Sequence, residues 1–369
     1  MREPVELRRQ RILSAVQSRG AVKVTDLAVE LAVSVVTLRR DVEELARAGQ
    51  LRRGHGVARS MVPVQAAPEA GRPAADGDAV ALVVPERHSY LNETLHGART
   101  VLEAAGIRTA LHIAPRAPGA EQAIVERALA DGARGLLIAP RWRSAAAEQA
   151  DYGWLAEVKV PAVLMERRPV PGSALHALDS VCSDHWYGTH LAVEHLVALG
   201  HRRIVLAARD DSPTARAIRA AFAKIAEDRP EIEDWAIMLS APDAGAEPAA
   251  DRGPHPSLAA LLRERGATAA VLHGDVDALM LVQQIGDEGV RVPQDCSVVA
   301  YDDMVAGLGG TPLTAVAPPK AEIGRAAAEL LLHRLERPSG AGAGTVRRVE
   351  LLPELKVRGS AQVPTHPPK

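Results

Sequence analysis

The feature that most constrains this chain is a repeated alternation of short apolar runs and longer amphipathic segments, which begins at Ala79. The apolar runs are continuous rather than alternating, as in strands that are buried on both faces. Such runs cover residues 79–85, 108–114, 133–140, 160–167, 201–209, 235–241, 268–275 and 296–303. Strands of this kind, separated by helices, predict an α/β fold in which parallel sheets are covered by helices. Eight or more strand–helix units are more than a single sheet usually contains, so we expect two lobes with one sheet each.

Composition changes along the 369 residues divide the chain into regions. The segment before residue 60 has dense helical periodicity, whereas the next stretch carries Pro, Ala and Gly with no apolar period, which indicates a linker. We therefore expect an N-terminal domain over residues 1–59, a linker over 60–78, a two-lobed domain over 79–360 and a tail over 361–369.

The formal net charge of −2 hides an uneven distribution. Residues 1–60 carry 12 Lys and Arg against 7 Asp and Glu, a net of +5, and the remainder carries 32 against 39, a net of −7. Such asymmetry indicates a segment that binds nucleic acid attached to one that does not. A chance fluctuation in composition is the alternative explanation.

The cysteine spacing and the length of the apolar runs indicate in which cellular compartment the protein is expected. Cys182 and Cys296 lie far apart, without the C-x-x-C spacing of a redox or metal motif, which is typical of a reducing compartment. The first ten residues are charged, and no run approaches 18 apolar residues, so we expect neither a signal peptide nor a membrane span. These observations predict a cytoplasmic protein.

The first 60 residues predict three helices followed by two short strands. Thr25 is expected to cap the second helix, and Ser34 the third, which ends before Gly49. The third helix has its apolar stripe at Leu38, Val42 and Leu45, so its opposite face points outward. Two helices joined by a tight turn, the second with an exposed polar start, are typical of a helix-turn-helix with a recognition helix.

Cationic side chains on that helix and on the following wing fit DNA. Arg is the commonest reader of guanine in the major groove, and flanking cations bind phosphates. The candidate DNA-binding residues are Ser34, Val36, Thr37, Arg39, Arg40, Arg52, Arg53 and His55. The alternative is a small helical domain that serves only for protein contacts.

The segment VSVVTLRRDVEEL, followed by HGVA, resembles the DeoR-type winged helix-turn-helix. That family's signature is V-S-x-x-T-[IL]-R-R-D-[LV]-x-x-L with a basic H-G-G-A wing, and here Val57 replaces one wing glycine. The resemblance covers about 55 residues and implies binding to double-stranded operator DNA.

The C-terminal part resembles the LacI/GalR sensor, whose fold is that of periplasmic sugar-binding proteins. The motif D-x-x-x-G-x-x-x-A-x-x-H-L-x-x-x-G-H-R-x-I is matched from Asp184 to Ile204, and VELLPELKVRGS matches the family's closing strand. The resemblance implies two lobes around a ligand crevice. We expect lobe 1 at about 79–207 and 317–336, and lobe 2 at about 208–316 and 337–360.

Ligands of such folds bind at the carboxyl ends of the strands, so residues that follow strands are the candidates. The candidate ligand-binding residues chosen in this way are Tyr90, Arg141, Trp142, Glu166, Arg167, Asp275 and Asp302. Arg219 is a further candidate by resemblance, because it flanks the position of the family's ligand-binding Arg. By resemblance, Asp302 accepts hydrogen bonds from ligand hydroxyls, while Asp303 is expected to cap local backbone. An acid/base pair of these two carboxylates is the alternative, although neighbours on a strand point to opposite faces.

Two positions depart from the family pattern. The family's ligand-binding Arg falls on Ile218, and the Asn that often precedes the second-lobe Asp is Gly274. Sugar recognition through all of the usual contacts is therefore not expected. His190 and Glu194 lie one helical turn apart, but a zinc site needs three or four convergent ligands, so we expect no metal and no cofactor.

Together the two resemblances predict a transcriptional regulator and not an enzyme. Repression is the family's usual mode and is what the resemblance implies, although the sequence itself does not distinguish a repressor from an activator. The regulator's operator binding is expected to be controlled by a sugar or related polyol, and its default assembly is a homodimer. One alternative is a sugar-binding solute receptor. Another is a carbohydrate-acting enzyme, such as a sugar kinase, with a fused DNA-binding head, although no phosphate-binding glycine motif is found.

Overall fold

A computed structural model of the chain describes residues 12, 21–30, 33–47, 51–54, 57–60, 79–86, 89–142, 145–240, 257–336 and 344–365. The chain divides into two compact units, Met1–Ala75 and Asp76–Lys369. This division lies within the segment that the sequence predicts as a linker.

The first unit is a small helical domain with a three-stranded antiparallel sheet. The elements that the structure describes in it are β1 (Ala21–Lys23), α1 (Val24–Glu30), α2 (Val35–Arg47), β2 (Leu51–Gly54) and β3 (Val57–Ser60). The first of the three predicted helices lies outside the described residues, apart from Ile12. The sheet order is β1-β3-β2, with both pairs antiparallel. The buried core consists of Ile12, Val22, Val24, Leu27, Ala28, Leu38, Val42, Leu45 and Leu51. The inward stripe predicted for the third helix is therefore confirmed.

Of the two N-caps predicted for these helices, the structure confirms one. Ser34 caps α2, since the backbone N–H of Thr37 donates to Ser34 Oγ at 3.1 Å. The prediction that Thr25 is an N-cap is wrong, because β1 leads directly into α1 at Val24 and Thr25 already lies inside the helix. Strand β3 extends to Ser60, one residue into the predicted linker.

The second unit alternates strands and helices throughout. In chain order its strands are β4 (Ala79–Pro85), β5 (Arg108–Ala114), β6 (Ala133–Ile138), β7 (Ala162–Met165), β8 (Asp179–Ser183), β9 (Arg203–Ala207), β10 (Asp234–Met238), β11 (Ala269–His273), β12 (Ser297–Tyr301), β13 (Thr314–Ala317), β14 (Arg348–Leu351) and β15 (Glu354–Lys356). Its α-helices are α3 (Asn92–Ala104), α4 (Ala120–Ala130), α5 (Ala145–Tyr152), α6 (His185–Ala198), α7 (Pro213–Asp228), α8 (Leu258–Arg265), α9 (Asp275–Asp287) and α10 (Lys320–Leu335).

These strands form two six-stranded sheets, one in each lobe. Lobe 1 has the order β14-β8-β7-β6-β4-β5, with all pairs parallel. Lobe 2 has the order β10-β9-β11-β12-β13-β15, parallel except for the β13–β15 pair. The predicted α/β fold with two parallel-sheet lobes is confirmed.

The chain crosses between the lobes three times, after β8, after β13 and after β14. Helix α6 packs Ala192 and Leu196 into the lobe 2 core, whereas α10 packs Ile323 and Leu331 into the lobe 1 core. The predicted lobe boundaries are wrong at two places. Strand β9 belongs to lobe 2 because it pairs with β10 and β11, and β14 belongs to lobe 1 because it pairs with β8.

Two glycines allow α10 to lie against α3 of lobe 1. A Cβ at Gly324 would come within 1.8 Å of the Thr94 carbonyl oxygen, and one at Gly97 within 2.0 Å of the Ala321 carbonyl oxygen. Since no side chain fits at such distances, this pair of small residues fixes the helix separation. The start of α10, which carries Lys320, is thereby positioned beside the lobe 1 strand ends.

Candidate functional site

The first unit presents an exposed surface on the N-terminal half of α2. Val36 is 76% exposed, Arg39 and Arg40 are exposed, and Thr37 is half-buried. Ser34 Oγ lies 2.8 Å from Thr37 Oγ1, so these two hydroxyls hold the start of the helix together. Exposed guanidinium groups on such a surface have the chemistry that reads base edges and phosphates.

The other predicted DNA-binding residues belong to the strands that follow. Arg52 and Arg53 lie in β2, which pairs with β3 in an antiparallel hairpin. His55 lies outside the described residues. One helical turn after Arg39 and Arg40, Glu43 and Glu44 line the same shallow depression as the two arginines. Because these carboxylates repel phosphate, the contact surface for an anion is the helix start.

In the second unit, a cavity of about 400 Å³ lies where strands of both lobes end. Lobe 1 and α10 contribute Pro85, Glu86, Tyr90, Arg116, Arg141, Glu166, Arg167, Pro318 and Lys320. Lobe 2 contributes His185, Arg209, Asp211, Ser212, Pro213, Thr214, His273, Gly274 and Asp302. Five predicted ligand residues, Tyr90, Arg141, Glu166, Arg167 and Asp302, are thus brought together. We call this cavity the central cleft.

Glu166 and Arg167 form the lobe 1 wall directly after β7. Glu166 has a left-handed backbone (φ 53°), and its Oε2 accepts a hydrogen bond from the Ser183 backbone N–H at 3.3 Å. Arg167 is 2% exposed and donates to the carbonyls of Glu166 (2.7 Å) and Pro140. Its Nη2 also donates to the Tyr90 hydroxyl at 3.3 Å. Arg167 therefore orients Tyr90 and the strand ends.

Burial controls the protonation of the groups beside this wall. It raises the pKa of Glu166 to about 7, and it lowers the pKa of His185 to about 4. His185 Nε2 lies 3.9 Å from Glu166 Oε2, and its Nδ1 lies 3.0 Å from the Tyr301 hydroxyl. Near neutral pH the histidine is therefore uncharged, and the carboxyl group lies close to its titration midpoint.

Asp302 is the main acidic group of the lobe 2 wall. It follows β12 with a left-handed backbone (φ 76°), and its Oδ1 lies 3.1 Å from Lys320 Nζ. His273, at the end of β11, is buried, and its Nδ1 has no hydrogen-bond partner in the protein. The neighbouring Asp303 instead pairs with Arg358 at 2.8 Å and Lys356 at 3.3 Å. Asp303 is therefore held by these cations, and it does not act as the predicted backbone cap.

Three predicted ligand residues do not line the central cleft. Asp275 is 2% exposed, and its Oδ2 accepts hydrogen bonds from the backbone N–H groups of Val305 and Ala306. Arg219 donates to the carbonyl oxygens of Ala208 (3.2 Å) and Met238 (3.4 Å). Trp142 is 2% exposed and packs edge-on against Tyr152, with ring centroids 5.7 Å apart. The first two positions stabilise loops and strand ends, and Trp142 lines a neighbouring cavity.

Several charged cleft residues were missed by the sequence reasoning. His185 follows β8 and Lys320 follows β13, two strands that were not predicted, so the rule for residues after strands could not select them. His273 was missed because it is the last residue of β11 rather than the residue after it. Arg209 also lines the cleft and forms a two-bond ion pair with Asp277 at 2.6 and 2.9 Å.

The described residues provide neither a metal-binding cluster nor a membrane-spanning helix. There, no group of three or more His, Cys, Asp and Glu side chains is arranged to hold a metal ion. Glu194, a candidate metal ligand in the sequence, pairs instead with Arg229. In the same part of the chain, no helix has the length and apolar character needed to cross a membrane.

Comparison with family models gives two matches. Residues 8–63 match the model of the DeoR-like helix-turn-helix domain. Residues 193–361 match the model of the periplasmic binding protein-like domain. The two matches fall in the two compact units, in the order expected from the sequence.

Among curated proteins, the chain is similar to the HTH-type transcriptional repressor PurR of Haemophilus influenzae (strain ATCC 51907 / DSM 11121 / KW20 / Rd). The two are 30% identical over 206 residues, which cover 55% of this chain and 58% of that protein. The ribose operon repressor of Escherichia coli (strain K12) is also 30% identical, over 207 residues with the same coverage of each chain. The matched region therefore spans 58% of the length of these relatives.

Solved structures share the fold. The lac repressor dimer bound to operator and the anti-inducer ONPF superposes with a TM-score of 0.60 at 22% identity, covering 78% of this chain and 96% of that chain. A LacI family transcriptional regulator from Enterococcus faecium with bound ribose gives 0.58 at 21% identity, covering 77% and 99%. One from Mycobacterium smegmatis gives 0.59 at 24% identity, covering 78% and 100%.

Proposed function

Because this chain joins a DeoR-like helix-turn-helix domain to a periplasmic binding protein-like domain, we propose that it is a transcriptional repressor controlled by a small molecule. The first unit binds double-stranded operator DNA, and the second binds the effector. The proposal assigns no catalytic role to the chain. A regulator of this kind works in the cytoplasm, where the chromosome lies.

The proposal rests on two features of the same chain: an exposed basic helix in the first unit and a cleft between two lobes in the second unit. In α2, Arg39 and Arg40 are exposed while Leu38 and Val42 are buried. This arrangement allows the helix start to enter a major groove while the helix remains anchored to its domain. The central cleft, at about 400 Å³, is of the size that encloses a small organic ligand.

The cleft chemistry favours a hydroxylated effector. Asp302 and Glu86 offer carboxylate oxygens, Arg141 offers donors, and Tyr90 offers an aromatic face. Carboxylates and guanidinium groups bind hydroxyls through charge-assisted hydrogen bonds. A sugar or a related polyol fits this set. The named relatives point the same way, since one is the ribose operon repressor and one solved structure contains ribose.

Control of DNA binding follows from a shift between open and closed lobes. An effector that contacts Glu166 of lobe 1 and Asp302 of lobe 2 binds the closed arrangement more tightly, and so shifts the population toward it. In a homodimer this shift changes the placement of two helix-turn-helix units on two half-sites. The segment 60–78 has no helical pattern, so the coupling differs from that of the LacI/GalR family, which uses a hinge helix.

The test is binding of the full-length protein to DNA from its own promoter region, measured by fluorescence anisotropy over a series of salt concentrations. A scrambled duplex of equal length and composition is the control. We expect the promoter to bind at least about a thousandfold more tightly than the control, and the logarithm of the affinity to fall linearly with the logarithm of the salt concentration. Equal affinity for the two duplexes would rule out the proposal.

A further inference from the structure

A second cavity of about 200 Å³ adjoins the central cleft on the side where the chain crosses between the lobes. The two cavities share Glu166, His185, Pro213 and Thr214 as lining residues. We call the smaller one the crossing-side cavity, because Ser183 and Asp184, at the first crossing, form part of its wall. The shared residues place the two cavities next to each other.

Three buried polar atoms without a hydrogen-bond partner in the protein belong to residues that line this cavity. They are Glu148 Oε2, Ser183 Oγ and Arg216 Nη1. Glu148 is 0% exposed and Ser183 is 2% exposed. Unpaired buried polar atoms are costly, and they are rare in folded proteins. Three of them on residues that line one small cavity therefore call for a polar occupant, which is either ordered water or a polar ligand.

The glutamate is held in place by its other oxygen. Glu148 Oε1 accepts hydrogen bonds from the Val170 backbone N–H at 2.9 Å and from Ser173 Oγ at 2.8 Å. The carboxylate is therefore fixed in orientation, with Oε2 left over. Glu148 and Ser183 belong to lobe 1, whereas Arg216 lies on α7 of lobe 2. A ligand that contacts all three atoms connects the lobes.

This inference rests on the proposed function. We propose that the crossing-side cavity is a second effector subsite that binds a hydroxylated ring, so that the effector is a disaccharide or a glycoside spanning both cavities. A single hydroxyl group can donate to a carboxylate and accept from a guanidinium, so neighbouring hydroxyls on one ring satisfy Glu148, Ser183 and Arg216 together. A ligand with one net charge fits less well, because either Glu148 or Arg216 then faces a like charge.

The apolar part of the wall supports the same ligand class. Trp186, which is 43% exposed, lines the cavity together with Val170 and Pro213, whereas Trp142, at 2% exposed, offers little accessible area. Aromatic side chains provide large contact areas for the carbon faces of a ring, while the three polar atoms bind its edge groups. The combination resembles a sugar site more than a site for a bare anion or a cation.

The test uses two variants that change one unpartnered polar atom each, one by exchange of an acceptor for a donor and one by removal of a hydroxyl. In Glu148→Gln the amide oxygen still accepts from Val170 and Ser173, but a donor replaces the free acceptor. Ser183→Ala removes a hydroxyl that has no partner in the protein. The matched control is Ser180→Ala, on the same strand, since Ser180 is also 2% exposed but lines neither of the two cavities.

Isothermal titration calorimetry of the full-length protein compares single sugars with disaccharides that contain them: glucose with maltose and cellobiose, and galactose with lactose and melibiose. We expect one disaccharide to bind at least about tenfold more tightly than its single sugar. Glu148→Gln and Ser183→Ala should each remove that gain of about tenfold and leave the affinity for the single sugar unchanged. Ser180→Ala should behave as the wild type.

Three results would overturn the subsite: no disaccharide binds more tightly than its single sugar, the two variants weaken both kinds of sugar equally, or no sugar of the panel binds. Promoter binding by the same preparations tests the proposed function separately. If salt-dependent promoter binding is intact while the sugar result is negative, the subsite fails and the DNA-binding regulator stands. If the wild type does not prefer its promoter, the regulator fails whatever the sugars do.

Discussion

Lys320 Nζ lies 3.1 Å from Asp302 Oδ1, and this ion pair joins α10 of lobe 1 to the end of β12 in lobe 2. The lysine side chain is 6% exposed and that of the aspartate is 21% exposed, so water screens the pair only weakly. An effector that binds Asp302 competes with Lys320 for the same oxygen. Under the proposed function, an effector that binds Asp302 therefore rearranges this internal contact of the cleft.

Asp302→Asn should destabilise the second unit by about 2 kcal/mol, because it leaves the Lys320 ammonium buried without a carboxylate. Adding Lys320→Met should recover most of that loss, since the uncompensated charge is removed. Urea unfolding followed by tryptophan fluorescence measures the effect, because all four tryptophans lie in the second unit. Equal stabilities for the single and double variants would contradict this account of the pair.

Glu166 should make stability depend on pH with a sign opposite to that of an ordinary ion-paired carboxylate. Burial raises its pKa from 4.5 to about 7, so the folded state favours the protonated form. The stabilisation is complete below about pH 4.5 and is lost as the pH rises to about 7. Relative to Glu166→Gln, which cannot ionise, the wild type should lose about 3 kcal/mol across this window.

The measurement for Glu166 is urea unfolding of both proteins at several pH values between 4.5 and 8. His185, whose pKa burial lowers to about 4, contributes a slope of opposite sign, but it is present in both proteins. The difference between the two curves therefore isolates the carboxyl group. Parallel curves would show that Glu166 keeps its ordinary pKa.

Two arginines of the first unit should affect DNA binding in different ways. Arg40 lies on the exposed face of α2, so Arg40→Ala should reduce the preference for promoter over scrambled DNA by about tenfold or more. Arg53 lies in β2, and we expect it to contact phosphate, so Arg53→Ala should weaken both duplexes alike and lower the salt slope by about one. Anisotropy titrations distinguish the two, and equal losses of specificity would contradict the assignment.

Gly324→Ala should destabilise the second unit by about 3 kcal/mol or more, because the new methyl group would meet the Thr94 carbonyl oxygen at 1.8 Å. The matched control is Gly286→Ala in α9, where no atom beyond the adjacent backbone of its own helix lies within 4 Å of the new methyl group. That substitution should stabilise by up to about 1 kcal/mol through helix propensity. Thermal unfolding followed by tryptophan fluorescence measures both, and a neutral Gly324→Ala would mean that the helices can separate.

Local features of this fold were predictable from the sequence, because they depend on neighbours along the chain. The inward stripe of α2, its cap at Ser34 and the continuous apolar strands all follow from periodicity and capping rules. Periodicity and capping rules could not predict which of the two sheets contains β9 and which contains β14. Sheet membership depends on which strands pair, and those partners lie far away in sequence.

The candidate site shows the same division. Asp275 and Asp302 each lie at the end of a predicted apolar strand, so the sequence pattern predicts the same ligand-binding role for both. In the structure Asp302 lines the cleft, whereas Asp275 begins α9 and binds two backbone N–H groups of the loop at Val305 and Ala306. The difference arises from the path of that loop, which no local pattern encodes.

The second crossing, after β13, where the chain returns to lobe 1, has a consequence for synthesis on the ribosome. Lobe 1 needs α10 for its core and β14 for its sheet, but residues 185–317, which build most of lobe 2, are translated between these parts. The apolar strands β4 to β8 are synthesised early, whereas α10 and β14, which pack on them or pair with them, are among the last segments made. Domains that fold late in this way expose unpaired edges to aggregation. Chaperone demand during translation should therefore fall mainly on the lobe that begins first.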